Sequence, residues 1–257
     1  MKLFSAIWLP LITLLTYLFL YLPILVLILF SFNEADLTSG FSAFSLKWYS
    51  ELFSSTEIWI AIQNSLIVAG FTVFLSLTMG TFFVLYSSKP MMKWINILNY
   101  GEIVISDVVI AGALLSLFAF FTVPLGLVTL IAGHTLIGLG YAIPIIKTSF
   151  DEIDKRLIEA SMDLGATKGQ TFRKVVIPLM TPALVASGLL VFIISLDDFT
   201  ISFFCAGTSA QTLSLYVFTT IKSGLSPVIN AVSTLMIAFS SLLVLIFCSL
   251  QTKTRFF

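Results

Sequence analysis

The sequence KTSFDEIDKRLIEASMDLGATKGQTFRKVVIPLMT, from Lys147 to Thr181, is the longest polar stretch in an otherwise apolar chain. It contains eleven of the 26 Asp, Glu, Lys and Arg residues of the 257-residue protein. On both sides of it the sequence is rich in Leu, Ile, Val and Phe. This stretch, called the polar loop below, therefore divides the chain into an apolar part before it and an apolar part after it.

The composition places this chain among integral membrane proteins. Hydrophobic side chains make up 58% of the residues, charged side chains make up 10%, and the mean hydropathy is +1.08, values far outside the range of soluble domains. The formal net charge is zero, so no general attraction to nucleic acid or to an anionic surface is indicated. The distribution of charge along the chain is therefore more informative than its sum.

Six apolar stretches are long enough to cross a bilayer. A hydrocarbon core of about 30 Å requires about 20 apolar residues in a helix. The qualifying stretches are residues 7–30, 60–86, 95–122, 125–146, 182–206 and 228–250. We therefore predict an all-α integral membrane protein with six transmembrane helices in a single transmembrane domain over residues 1–257.

Basic residues indicate which side of the membrane each loop faces. Six spans place both termini on one side, and eleven of the 13 Lys and Arg residues then fall on that side, including six in the polar loop. Lys47 and Lys222 fall in the opposite loops. Since cytoplasmic loops carry the excess of basic residues, we expect the polar loop and both termini to lie in the cytoplasm. Residues 123–126 are predicted to form a tight outer hairpin.

The first half of the polar loop contains a predicted helix. Ser149 followed by Glu152 fits the capping box, in which paired side chains satisfy free backbone amides at a helix start. Gly165 is a typical residue just beyond a helix C-terminus. One face of this helix is apolar to small, and it consists of Ile153, Leu157, Ala160, Ser161 and Leu164.

A second, short helix is predicted in the rest of the polar loop. Thr167 followed by Gln170 repeats the capping-box pattern. Pro178 and Pro182 are expected to interrupt this helix before the fifth span, because proline lacks the backbone N–H that a helix interior needs. The sequence thus predicts two short cytoplasmic helices beneath the membrane.

The polar loop also resembles the EAA loop of ABC-importer permeases. Glu159-Ala160-Ser161, Gly165 and Val175-Val176-Ile177-Pro178 keep the spacing of that motif, which is written EAA, three residues, G, nine residues and I-x-L-P. Three of its letters differ conservatively here. The resemblance implies a type I importer permease fold (MetI-like), with this loop docked on a cytoplasmic ATPase. The docking residues would be Glu159, Ala160, Ser161, Gly165, Ile177 and Pro178.

Over most of its length the chain is similar to the PotC-type permeases of spermidine/putrescine importers. The motifs that carry the similarity include Lys47-Trp48-Tyr49-Ser50, Ser106-Asp107, Asp163-Leu164-Gly165-Ala166 and Ser195-Leu196-Asp197-Asp198. This implies polyamine import across a bacterial inner membrane by alternating access. The implied partners are a PotB-like second permease, a PotA-like ATPase dimer and a PotD-like extracytoplasmic substrate-binding protein. The chain itself is expected to bind no cofactor, since the ATPase would use ATP and Mg.

Besides Glu102, which is nearer a helix end, three carboxylates lie within the predicted spans, where no Lys or Arg neutralises them. They are Asp107, Asp197 and Asp198. A charged carboxylate in a membrane is costly unless it faces a cavity or a partner, so all three are candidates for binding a cation. A rise of about 1.5 Å per residue places Asp107 in the inner half of the membrane and the other two in the outer half. Such a separation suits a ligand with several positive charges.

The predicted substrate pathway is completed by neighbouring residues. Ser195 precedes the aspartate pair, and Trp48 and Tyr49 could offer a cation–π face to an amine, although anchoring at the membrane interface explains these two aromatic residues equally well. Adjacent helical residues point about 100° apart, so which of the paired aspartates faces the pathway stays open. Related permeases often have proline just before Asp107, and its absence here predicts a less kinked third helix.

Other chemistries are weakly indicated. There is no G-x-x-x-x-G-K-[ST] phosphate loop, so we expect a transport subunit that is not an enzyme, with no catalytic residue and no metal ligand. His134 has no H-E-x-x-H motif around it and is expected to pack between helices. An ABC permease for another small cationic or organic solute is the main alternative. An ion-coupled secondary transporter would need no docking loop, and an intramembrane aspartyl protease would need Asp where Tyr141 stands.

Overall fold

A computed structural model shows an almost entirely helical protein, as predicted. It describes residues 2–35, 40–86, 105–223 and 226–254. The α-helices of this part are α1 (Lys2–Ser31), α2 (Lys47–Ser54), α3 (Thr56–Tyr86), α4 (Asp107–Phe120), α5 (Leu127–Asp151), α6 (Lys155–Asp163), α7 (Lys168–Thr171), α8 (Ile177–Asp197), α9 (Thr200–Cys205), α10 (Leu213–Ser223) and α11 (Val228–Thr254). A π-helical turn, Phe172–Val176, joins α7 to α8.

Five of the six predicted spans are confirmed as helices long and apolar enough to cross a membrane. They are Pro10–Ser31, Thr56–Tyr86, Leu127–Asp151, Lys168–Asp197 and Val228–Ile246. Residues 95–104 of the remaining predicted span, and the basic residues Lys89 and Lys93, lie outside the described part of the chain. The rest of that span forms the shorter helix α4, and residues 121–126 connect α4 to α5 as the predicted tight hairpin.

The third predicted span is not one continuous helix. Ile105 and Ser106 are not helical, and α4 begins at Asp107 after Ser106 in an extended conformation, with φ −62° and ψ 136°. The expectation of a less kinked helix here is therefore wrong. A carboxylate in the first turn of a helix interacts favourably with the free amides and with the positive end of the helix dipole. Asp107 thus favours a helix start at this position even without proline.

The chain forms two compact units. The single transmembrane domain over residues 1–257 stays a prediction. Unit 1 comprises Met1–Trp59 and Val217–Leu242, and unit 2 comprises Ile60–Tyr216 and Leu243–Phe257. In unit 1, no residue in the most apolar part of the candidate span Pro10–Ser31 is buried, which suits a helix surrounded by lipid.

The outer segment of unit 1 is built around Asn33. Its side-chain Oδ1 accepts a hydrogen bond from the backbone N–H of Ser42 at 2.8 Å, and its carbonyl oxygen accepts one from Trp48 Nε1 at 2.7 Å. Phe32 stacks on both Phe44 and Tyr49, with ring centroids 5.3 and 5.2 Å away. These contacts fix the start of the amphipathic helix α2 against the preceding segment.

Unit 2 contains two apolar cores. The first joins α3, α4, α5 and α9 around Leu130, Ile201 and Cys205, all fully buried. The second joins α3, α5, the π-helical turn and α8 around Ile146 and Met180. Both cores run along α5, which therefore positions the neighbouring helices of this unit.

Two glycines allow α5 to lie close to its neighbours. A β-carbon on Gly133 would lie 2.7 Å from Ile201 Cγ2. One on Gly138 would lie 3.0 Å from Val191 Cγ1 and would overlap Ser76 Oγ. These distances are shorter than van der Waals contact, so a larger residue at either position requires a neighbour to move.

We expect Gly138→Ala to lower the free energy of unfolding by about 1–3 kcal/mol, because overpacking displaces well-packed neighbours. The melting temperature of the purified importer complex measures this effect. Gly112→Ala in α4 is the matched control, since a β-carbon there meets nothing within 4 Å. Equal melting temperatures for the two variants would contradict the close packing of α3, α5 and α8.

Candidate functional site

Asp198 lies at a break between two helices rather than inside one. α8 ends at Asp197, Asp198 is extended with ψ 119°, and α9 begins at Thr200. Asp198 Oδ2 accepts hydrogen bonds from the backbone N–H groups of Ile201 at 2.9 Å and Ser202 at 3.2 Å. The predicted continuous helix over residues 182–206 is therefore wrong, because this carboxylate caps a new helix start.

The backbone of Asp198 is also held in place. Its carbonyl oxygen accepts hydrogen bonds from Ser202 Oγ at 3.1 Å and from Ser214 Oγ at 2.7 Å. The Asp198 side chain is 11% exposed, whereas Asp197 is exposed at the end of α8. The structure thus separates the adjacent aspartates, one held within the break and the other accessible on the surface of this chain.

Asp107 and Asp198 lie at the starts of two helices that pack against each other. α4 packs against α9, and Asp107, the exposed first residue of α4, is close enough to Asp198 for their charges to interact. Both residues stand at helix starts. The two carboxylates, called the acidic cluster below, together attract a cation more strongly than either one alone. The predicted difference in depth between them stays a prediction.

His134 belongs to the same cluster. It is buried as expected for a residue that packs between helices, at 3% exposure, but its Nε2 lies 3.4 Å from Asp198 Oδ2. No sequence spacing signals this contact, because 64 positions separate the two residues. The one available signal was the rarity of an ionisable residue in a membrane span, which by itself indicates function.

Three buried hydroxyl groups of α3, α5 and α8 have no hydrogen-bond partner in the described part of the chain. They are Thr72 Oγ1, Thr135 Oγ1 and Ser195 Oγ. Ser76 of α3 contacts Gly138 of α5, and Gly138 contacts Val191 of α8. Each unpartnered hydroxyl lies about one helical turn from that contact, on the side towards the helix break. Ser195 is thus buried about one turn before the helix break, and its place in the substrate pathway stays a prediction.

The predicted aromatic face in unit 1 is not available in this structure. Trp48 is 5% exposed, its Nε1 donates a hydrogen bond to Asn33, and Lys47 Nζ already lies 4.5 Å from the centroid of its ring. Tyr49 Oη lies 2.8 Å from Ser31 Oγ. Both aromatic residues hold α2 in place, so their direct contact with a substrate stays a prediction without support from their positions.

The first helix of the polar loop begins later than predicted. α5 continues to Asp151, so Ser149 is still helical, and the cap of α6 is Asp154, whose side chain accepts a hydrogen bond from the Arg156 amide at 3.0 Å. The Ser149–Glu152 capping box is therefore wrong. Its sequence signal is overridden because Phe150 packs into the second core of unit 2, and burial of that ring extends α5.

The end of α6 and the start of α7 agree with the sequence. Gly165 has φ +89°, and the bonds from its amide to Met162 O and from Ala166 to Ser161 O, at 2.9 and 3.1 Å, form a Schellman motif. Thr167 and Gln170 form the predicted capping box. These local signals were reliable because short-range hydrogen bonds alone decide them.

The prolines do not interrupt the next helix. Helical structure is continuous from Lys168 to Asp197, and Pro182 lies inside α8. The prediction of a separate short helix is therefore wrong. The π-helical turn Phe172–Val176 lies just before Pro178, and its wider spacing accommodates a residue that lacks an N–H and crowds the carbonyl one turn earlier. Ile177 and Pro178, both predicted docking residues, thus begin α8.

The face predicted to be apolar is divided in the structure: Leu157, Ala160 and Leu164 are exposed on α6, whereas Ile153 packs against the second core. Leu157 is 49% and Leu164 is 90% exposed, and Glu159 and Ala160 are exposed as well. On the opposite side, Ile158 packs towards the second core. Ser161 also turns inward, with its Oγ 3.0 Å from Thr171 Oγ1. An apolar surface in a charged loop is typical of a docking site for another protein.

Comparisons with known proteins agree with this architecture. No protein-family model matches the chain. It is 34% identical to the spermidine/putrescine transport system permease protein PotC of Haemophilus influenzae over 90% of this chain and 91% of that protein. It is 32% identical to PotC of Escherichia coli over 89% and 88%, and 31% identical to the putrescine transport system permease protein PotI of Escherichia coli over 90% and 85%.

Solved structures show the same fold. A bacterial ABC transporter that imports alginate matches with a TM-score of 0.71 and 17% identity, covering 99% of this chain and 95% of that one. The MetNI methionine ABC transporter matches with a TM-score of 0.63 and 19% identity over 77% and 97%. The predicted MetI-like fold and the role as a transport subunit rather than an enzyme are confirmed. The chain belongs to the family of ABC-transporter permeases that includes PotC and PotI.

Proposed function

We propose that this chain is the membrane-spanning permease of a polyamine importer that carries spermidine or putrescine inward by alternating access. The observation that carries the proposal is the acidic cluster formed by Asp107 and Asp198, with Asp197 exposed beside it. Residues 105–146 and 177–205 contain no Lys or Arg, so no fixed cation from these helices neutralises it. Similarity to PotC and PotI over most of the chain supports a polyamine as the cation.

The coupling partner in this proposal is a cytoplasmic ATPase dimer of the PotA type. The exposed side chains of α6, including Leu157, Glu159 and Leu164, would contact it, and Ser161 joins α6 to α7 so that both helices move together. A PotB-like second permease would complete the pathway, and a PotD-like extracytoplasmic protein would deliver substrate. ATP and Mg would be used by the ATPase, with no cofactor held by this chain.

The proposal requires the polar loop and both termini to be cytoplasmic. We expect a cysteine at the exposed position Lys155 to react with a membrane-impermeant maleimide only after the inner membrane is opened, because positive loops stay in the cytoplasm. A cysteine at Glu57, exposed in the first turn of α3, is the matched control and should react from outside. Labelling of the Lys155 position in intact spheroplasts would overturn the orientation.

Uptake by the reconstituted importer tests the substrate. The complex of this chain with its permease, ATPase and binding-protein partners should accumulate radiolabelled spermidine or putrescine in proteoliposomes only when ATP is supplied. Unlabelled lysine and choline, which are small cations with a lower net charge than a polyamine, should not reduce uptake at equal concentration. ATP-driven uptake of another small cation, without polyamine uptake, would favour the alternative of an ABC permease for a different solute.

A further inference from the structure

In a neutral His134 ring, the nitrogen that faces the Asp198 carboxylate carries no hydrogen. His134 Nδ1 lies 2.8 Å from the carbonyl oxygen of Leu130. A carbonyl oxygen only accepts hydrogen bonds, so Nδ1 carries the hydrogen. In a neutral ring Nε2 is then an acceptor, and this atom lies 3.4 Å from Asp198 Oδ2, which is also an acceptor. Nε2 has no hydrogen-bond partner among the described residues.

Two buried acceptors at this distance repel each other unless a hydrogen lies between them. An unsatisfied buried polar group is costly, and the cost rises in surroundings of low polarity. A single proton between Nε2 and Oδ2 replaces the repulsion by a charge-assisted hydrogen bond. We propose that His134 and Asp198 share one proton, and that His134 is thereby the positioning residue that holds Asp198 at the start of α9.

The surroundings of the pair favour this proton. Asp107 of α4 and the Cys205 thiol of α9 lie close enough to Asp198 to interact with its charge, and Asp197 is the adjacent carboxylate at the end of α8. The buried hydroxyls without a hydrogen-bond partner on the described parts of α3, α5 and α8 are those of Thr72, Thr135 and Ser195, and they carry no charge. A proton on His134 is therefore the local counter-charge for the carboxylates.

The shared proton gives the acidic cluster two states. Without a ligand, the proton holds the pair neutral and the Asp198 side chain in place. When an ammonium group binds at Asp198, the proton leaves from Nε2 to water, and the positive charge of the ligand takes its place. The total charge of the site is unchanged, and no other bond is made or broken. The release of the proton on ligand binding rests on the proposed function, whereas the shared proton without a ligand does not.

Nuclear magnetic resonance of the ring tests the shared proton without any substrate. His134 is the single histidine of this chain, so its signals in the whole importer complex, labelled with 15N-histidine and assembled in lipid nanodiscs, are those that disappear in His134→Gln. We expect an Nε2 shift of a protonated nitrogen in the wild type, and of an unprotonated acceptor in Asp198→Asn. An unprotonated Nε2 of equal shift in both proteins overturns the proposal.

The pH dependence of transport tests the exchange step. Glutamine at position 134 can donate an N–H to Asp198 but cannot release a proton, so His134→Gln keeps the geometry and loses the exchange. Between about pH 8 and about pH 6 we expect the KM of the wild type to rise about threefold relative to that of His134→Gln, with the same binding protein in both assays. Parallel KM profiles overturn the exchange.

A purely structural role for His134 predicts a different pattern. In that case His134→Gln and His134→Leu would lower the melting temperature and the maximal rate, while the ratio of their KM values to that of the wild type would not change with pH. The magnetic resonance measurement needs no substrate. Its result on the shared proton therefore holds even if the importer turns out to carry a solute other than a polyamine. The two proposals therefore fail on different measurements.

Discussion

Glu159→Lys is expected to abolish ATP-driven uptake while the chain still inserts into the membrane. Glu159 is exposed on α6, and its loss removes no contact from the core of unit 2, so folding should be unaffected. On the proposed docking surface, however, reversal of a charge places like charges opposite each other at an interface, and such repulsion costs several kcal/mol. Loss of about 3 kcal/mol of docking free energy lowers the affinity about a hundredfold.

Uptake into proteoliposomes and co-purification of the ATPase measure the effect of Glu159→Lys. The matched control is Asp151→Lys, which makes the same change of charge on an exposed carboxylate outside α6. We expect the control to retain uptake and the Glu159 variant to lose both uptake and the ATPase. Normal uptake by Glu159→Lys would show that α6 is not the docking helix.

Gly165→Asp should give the same phenotype for a different reason. At φ +89° a side chain is strained, which costs on the order of 1–2 kcal/mol per residue, and the Schellman motif that ends α6 is weakened. The outer face of α6 is then presented at the wrong angle, although its residues are unchanged. Gly169→Asp is a suitable control, because Gly169 is also exposed and has open space around it but no positive φ.

Asp198→Asn is expected to reduce polyamine uptake at least about tenfold without dissociating the complex, since a hydrogen bond to a charged group contributes about 1.5–3 kcal/mol. Asparagine can still accept the hydrogen bonds from the Ile201 and Ser202 amides, so the helix break should persist. Asp107→Asn is expected to act in the same direction, because the two carboxylates belong to one cluster.

Initial rates at several polyamine concentrations separate binding from turnover in these variants. The control is Glu57→Gln, an isosteric loss of charge at the outer start of α3, and it should leave both KM and the maximal rate unchanged. Asp198→Leu provides a further contrast, since it removes the cap as well as the charge and should lower the melting temperature. Unaltered kinetics in Asp107→Asn and Asp198→Asn would exclude these carboxylates from the pathway.

The sequence predicted the features that depend on composition or on short-range hydrogen bonds. The apolar spans, the Gly165 turn and the Thr167–Gln170 capping box are of this kind. It failed where packing overrides a local signal, as at Ser149, which the burial of Phe150 keeps inside α5. It also failed at Pro178, because a π-helical turn is not encoded by any periodicity that a sequence shows.

The candidate site divides in the same way. Asp107, Asp197 and Asp198 were found because carboxylates are rare in apolar sequence. The sequence did not predict that Asp107 and Asp198 both stand at helix starts, because this arrangement follows from the packing of α4 on α9. His134 was assigned to packing alone, and its contact with Asp198 depends on how α5 crosses the end of α8.

The unbroken helix from Lys168 to Asp197 connects the polar loop directly to the aspartates. Its 30 residues, at about 1.5 Å each, extend about 45 Å. One end adjoins α6, and the other ends at Asp198, where the backbone direction changes. A helix resists compression along its axis, so under the proposed coupling a displacement of the polar loop would reach the aspartates through this helix. The π-helical turn and both prolines lie in the half of this helix nearer the polar loop, so a bend there, where such features allow one, leaves the half nearer Asp198 regular.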